Sequence, residues 1–168
     1  MVGLLLTERL FIIPLAISAP NLKKLSLWTI GHGSRKIDEF ILLLKENCIE
    51  LLIDVRRFPT SKTDHFKREK LRELISSKGI EYEWLGDKLG GFRKGGYESY
   101  MQTEEFKEGI RELVEKASKK RVCIMCLEIS PKGCHRRFIS MHLGKEGHDI
   151  FHILSKSKVE RQTTFHSL

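Results

Sequence analysis

The chain has 168 residues, of which 40% are hydrophobic and 31% charged. That length and mixture fit one water-facing domain with a real core, and the lack of any run of about 18 apolar residues speaks against a membrane-spanning helix. The formal net charge of +8 and a pI near 9.4 favour polyanions such as nucleic acid or nucleotides over basic partners.

Within residues 1–24, the first 20 are largely apolar and end in small residues, but no Lys or Arg precedes the apolar run, and Glu8 and Arg9 interrupt it. A secretory signal is therefore disfavoured, and this segment is expected to be an extension or arm outside the fold. The first strand is expected over 25–31 (LSLWTIG), and a helix over 37–48 with Ile37, Phe40, Ile41 and Leu44 on one face, capped by Ser34 or a neighbour. ELLIDV at 50–55 reads as a buried strand. A helix follows at 67–77, stopped by Gly79, and then a third strand at 80–85. Residues 86–97 are glycine-rich and read as a mobile flap over an anionic ligand, with Phe92, Tyr97 and Tyr100 available to stack on a base. A helix over 104–118 capped by Thr103, a strand over 121–128, a helix over 134–144 and a strand over 148–154 complete the pattern, leaving 156–168 as a polar tail. Strands alternate with helices throughout. The expected architecture is α/β: a Rossmann-like three-layer sandwich over 25–155, with a mainly parallel sheet of about five strands and helices on both faces.

In such sheets ligands bind outside the carboxyl ends of the strands. His32, Ser34 and Arg35 follow the first strand; Asp54, Arg56 and Arg57 end the second; Arg93 follows the third; Cys126, Glu128, Cys134, His135 and Arg136 follow the fourth. Cys123 and Cys126 spell C-x-x-C, a spacing that suggests zinc. Residues three apart on a strand point to opposite faces, so this pair cannot jointly chelate, and neither metal nor cofactor is expected from it. Reduced thiols and a cytoplasmic location suit the four cysteines, since nothing else suggests a disulfide scaffold.

Three readings of CLEISPKGCHRR stay open. The helix start and Arg136 can bind an anion, with Ser34, Arg35, Arg56, Arg57, Arg93 and His135 adding to the anion site. Cys126 or Cys134 can be a nucleophile. The segment can be structural, with Glu128 pairing Arg136. Asp54 and Glu128 can also form a carboxylate pair that divides acid and base roles, with His32 joining them.

Three elements are specific in combination: T-x-G-H at the first strand, D-V-R-R-x-P after the second, and C-x-E-x(5)-C-H-R after the fourth. Together with LGGFR they make the chain resemble the domain of unknown function 488 family from about Leu25 to Leu154. The resemblance implies a compact Rossmann-like α/β domain without a generally assigned activity. Its motif residues fall on His32, Asp54, Arg56, Arg57, Cys126, Glu128, Cys134, His135 and Arg136. These features lead to the expectation of an enzyme acting on a nucleotide or nucleic acid, by N-glycosidic or phosphoester cleavage. A non-catalytic nucleic-acid-binding module and a cysteine-thiol transferase are the alternatives. No membrane partner is expected.

Overall fold

The computed structural model describes residues 23–163, so the expectation for the N-terminal extension falls almost wholly outside the described residues. Six strands form one sheet: β1 (Ser26–Gly31), β2 (Leu51–Asp54), β3 (Glu81–Trp84), β4 (Val122–Cys126), β5 (Asp149–Ser155) and β6 (Lys158–Arg161). Their order is β3-β2-β4-β1-β5-β6, parallel throughout except for the antiparallel β5–β6 pair. Six α-helical segments intervene: α1 (Ile37–Glu46), α2 (Arg68–Ser76), α3 (Gly86–Leu89), α4 (Tyr97–Tyr100), α5 (Glu104–Lys119) and α6 (Arg136–Lys145).

The inner strands are near-continuous apolar runs because both faces are covered. One apolar cluster joins Leu27, Ile53, Val55, Ile124 and Cys126 to Phe106, Ile110 and Leu113 of α5 and Ile139 and Leu143 of α6. A second joins Trp28, Ile30, Leu52, Cys123 and Met125 to Phe40 and Leu44 of α1 and Leu71 and Ile75 of α2. Cys123 and Cys126 thus lie in different clusters, as their spacing on a strand requires.

Helix α5 shows how local sequence sets an element. Thr103 accepts a hydrogen bond from the Phe106 N–H, Glu104 and Glu105 occupy the first turn, and Lys116 and Lys119 the last, matching the helix dipole. Gly79 turns the chain out of α2 at φ +81°, a conformation that suits glycine.

Four expectations need correction. Within the expected tail, the described residues include β6, an antiparallel edge strand paired with β5, so the sheet has six strands. Its residues are all exposed and lack apolar alternation, which is why they read as a tail. The glycine-rich stretch is not one loop, because it contains α3 and runs into the start of α4. Tyr97 and Tyr100 are buried there and donate to the Leu89 and Lys88 carbonyls, so they pack rather than stack on a ligand. Helix α1 begins after Lys36 without a side-chain cap, so Ser34 is not its cap. The fourth strand ends at Cys126, so Glu128 does not share a strand face with it.

The topology opens a crevice at one edge of the sheet. From β1 the chain crosses over β4 to β2; from β4 it crosses over β1 to β5. Adjacent strands β1 and β4 therefore send their continuations in opposite directions, which opens a crevice at their carboxyl ends.

Candidate active site

The loops leaving β1, β2 and β4 start side by side. His32 N–H donates to the Cys126 carbonyl at 3.0 Å, Gly33 N–H to Leu127 at 2.7 Å, and Val55 N–H to Met125 at 3.0 Å. This close approach demands Gly31: a Cβ there would lie 1.8 Å from the Glu128 carbonyl oxygen. Beyond these starts lies a cavity of about 620 Å³. Its wall takes residues from five segments: 32–34, 56–63 in part, 91–92, 126–128 and 133–135.

Of the residues singled out in the sequence, His32, Ser34, Arg56, Arg57, Cys126, Glu128, Cys134 and His135 line this cavity; Asp54, Arg35, Arg93 and Arg136 do not. Asp54 is fully buried. Its Oδ1 accepts from the Arg56 N–H at 3.0 Å and Nε at 2.9 Å; its Oδ2 accepts from Arg56 Nη2 at 2.6 Å and the Tyr82 hydroxyl at 2.7 Å. Arg56 also donates to the Phe66 carbonyl at 2.9 Å, which ties down the segment bearing Phe58, Thr60 and Lys62. Asp54 therefore does not face Glu128 as a carboxylate pair: its oxygens are committed to Arg56 and Tyr82, whereas Glu128 is exposed on the cavity wall.

Arg35 is likewise committed, to the Gly31 and Leu154 carbonyls and to Glu39. Arg93 stacks over the Tyr100 ring at 3.9 Å and donates to the Gly90 and Asp87 carbonyls, so it shapes the glycine-rich segment from inside. His32 is buried, stacked on Phe66 at 4.3 Å and 3.3 Å from Arg56 Nη1 through Nε2. Burial first, then the Arg56 charge, lower its pKa to about 4, so it is neutral at pH 7.

The opposite wall carries sulfur and imidazole. Cys126, Cys134 and His135 bring their ligating atoms within 4.8 Å of one another. His135 Nε2 lies 2.9 Å from the Val55 carbonyl oxygen, an acceptor only, so Nε2 carries the proton. Nδ1 is then bare and lies 3.8 Å from Cys126 Sγ. Burial is the main cause that lowers His135 to about 4. The proximity of the two sulfurs raises the Cys126 thiol and lowers Cys134 to about 7, the Arg136 charge and backbone N–H adding to the latter. That N–H reaches Cys134 Sγ at 3.3 Å.

Arg136 is 1% exposed. Its Nη2 donates to the Glu128 and Ile129 carbonyls at 2.9 and 3.1 Å, while Nε and Nη1 have no partner among the described residues. Glu128 thus meets Arg136 through its backbone, and no ion pair joins the two side chains.

Sequence reasoning passed over Phe58, Thr60, Ser61, Lys62 and Thr63, which also line the cavity. The signal was present in RRFPTSKT, where Phe58 stands in a basic, hydroxyl-rich loop with no amphipathic period to bury it. Phe58 and Phe92 are 64% and 88% exposed, with ring centroids 6.4 Å apart. With Leu127, they are three of the six large hydrophobic side chains exposed among the described residues, and all three line this one cavity. Such a concentration on one cavity differs from singly scattered surface residues, which need no explanation.

The fold and the cavity together define an open, mostly parallel α/β sheet with a cysteine- and histidine-bearing crevice at its topological switch point. The model of the domain of unknown function DUF488 matches residues 36–143, well over half of the chain, and the protein belongs to that family. Neither the curated proteins nor the solved structures give a significant match. Among the described residues no helix is long and apolar enough to cross a membrane.

Proposed function

We propose that this cavity is the active site of an enzyme acting on a nucleotide, free or exposed in nucleic acid, by cleavage at an N-glycosidic or phosphoester bond. One observation carries the reading: a single cavity joins the clustered Cys126, Cys134 and His135 to a mouth bearing Phe58 and Phe92 beside Arg57 and Lys62. Exposed rings accept the face of a base, and the basic side chains accept phosphate. Glu128 is the carboxylate placed to move a proton, and Asp54 is a positioning residue that holds Arg56. The two apolar clusters on opposite sheet faces support a Rossmann-like three-layer form, whose switch point is the usual place for such a ligand.

The test is mass spectrometry of oligonucleotides and free nucleotides, damaged bases included, after incubation with wild type, Glu128→Gln and Cys134→Ala. A product made by wild type and lost by about 100-fold or more in both variants supports the reading. Absence of product with every substrate, or a product untouched by both changes, overturns it. A second reading, thiol transfer, is favoured by the Arg136 N–H aimed at Cys134 Sγ. It requires a covalent Cys134 adduct, which the same spectra would show.

A further inference from the structure

The C-x-x-C pair is split between faces, yet the fold assembles a different set. Cys126 ends β4, and Cys134 and His135 immediately precede α6, so strand end and helix start converge. We propose that Cys126, Cys134 and His135 form a zinc-class metal site whose fourth position opens into the cavity. This deepens the functional reading above by naming the chemistry of the cavity floor.

Three observations carry it. First, the spacing fits. With bonds of about 2.3 Å to sulfur and about 2.0 Å to nitrogen, tetrahedral zinc places its ligand atoms roughly 3.5–3.8 Å apart. Cys126 Sγ and His135 Nδ1 are 3.8 Å apart, and no pair in the set exceeds 4.8 Å, so contraction by at most about 1 Å closes the site. Second, the imidazole is oriented as a ligand. Its Nε2–H is fixed on the Val55 carbonyl, so the bare Nδ1 faces the sulfurs, the outer-shell arrangement that metal-bound histidines use. Gly91 packs against this ring, where a Cβ would come within 3.0 Å of Nδ1. Third, the set is three ligands and not four, and all three line the cavity. Structural zinc sites are closed with four protein ligands, whereas catalytic sites keep one position for water or substrate. Two thiolates and an imidazole select a borderline-soft ion such as zinc over magnesium or calcium. In that position zinc would polarise an oxygen of the substrate or activate a water, with Glu128 lining the same cavity to take its proton.

The test needs no substrate. Full-length, chelator-stripped, reduced protein is titrated with Co2+ under ultraviolet–visible absorption, and zinc affinity is read by competition with a chromophoric chelator. Expected are one equivalent per chain, a sulfur-to-cobalt charge-transfer band, and an affinity loss of about 100-fold or more for Cys126→Ser, Cys134→Ser or His135→Ala. Cys48→Ser and Cys123→Ala should retain wild-type affinity. Should a variant misfold, the wild type alone still decides: zinc should shield Cys126 and Cys134 from alkylation and leave Cys48 reactive. No charge-transfer band, no shielding, or loss of binding through Cys48 or Cys123 instead overturns the site. Metal binding without nucleotide turnover would leave this site standing and remove the substrate reading, and turnover without metal binding would do the reverse.

Discussion

The two buried clusters that back the cavity walls are built on opposite principles. After β2, Asp54, Arg56 and Tyr82 form a knot in which both carboxylate oxygens are taken and the guanidinium charge is met by a carboxylate. After β4, Arg136 is as deeply buried, but its charge meets only carbonyl oxygens, and two of its nitrogens have no partner among the described residues. Beside it stand two sulfurs and a bare imidazole nitrogen. The first wall uses charge to fix a loop. The second leaves an uncompensated positive field over thiols, an arrangement that favours stability less than it favours thiolate as ligand or nucleophile.

That contrast can be broken by mutation. Asp54→Ala leaves Arg56 buried without its counter-charge and should cost about 3–5 kcal/mol in denaturant unfolding. Tyr82→Phe removes one hydrogen bond to the same carboxylate and should cost about 1.5–3 kcal/mol. Arg136→Met should cost less than about 1 kcal/mol, since it removes a buried charge that lacks a carboxylate partner. If Arg136→Met proves as destabilising as Asp54→Ala, the two walls are alike and the contrast fails.

Acid unfolding sharpens the first wall further. His32 titrates near 4 in the folded protein, below its ordinary 6.5, so the unfolded chain takes up the proton first. Its contribution is complete above about pH 6.5 and is lost as pH falls towards 4. A His32→Gln variant should show a shallower stability loss across that window than wild type, measured as unfolding midpoints at stepped pH. An unchanged slope would mean that His32 is not held neutral by its burial against Phe66 and Arg56.

Much of this was legible beforehand, for stated reasons. Apolar runs such as LLID and the 3.6 period of α1 report burial directly, and Thr103 marks the start of α5, so the parallel strands and long helices could be read. The edge strand β6 could not, because KVER is exposed on every residue and is defined by pairing to β5 alone. At the site, strand-end logic brought Cys126, Cys134 and His135 to one edge. It did not separate Asp54, which hydrogen bonds across strands consume, from Glu128, which the early end of β4 leaves in solvent. Nor could it see that Arg93 turns inward onto Tyr100. Those distinctions depend on partners distant in sequence, and no local pattern carries them.

The smallest expected change in stability accompanies a clear change in binding, at the mouth. Phe92 is 88% exposed and sits at φ +56°, so its ring buries little and its backbone favours glycine. Phe92→Gly should therefore leave unfolding within about 0.5 kcal/mol of wild type, as surface changes do. If the ring stacks on a base, the same change should weaken nucleotide binding by about 1–3 kcal/mol, read by calorimetry. Lys62→Ala should instead lower the salt dependence of oligonucleotide binding by about one counter-ion with little preference among bases. Together these outcomes would assign base to the rings and phosphate to the rim. If Phe92→Gly binds every nucleotide as tightly as wild type, the exposed rings are not the stacking platform, and the cavity mouth must recognise its ligand through Arg57, Lys62 and the hydroxyls of Thr60 and Ser61 alone.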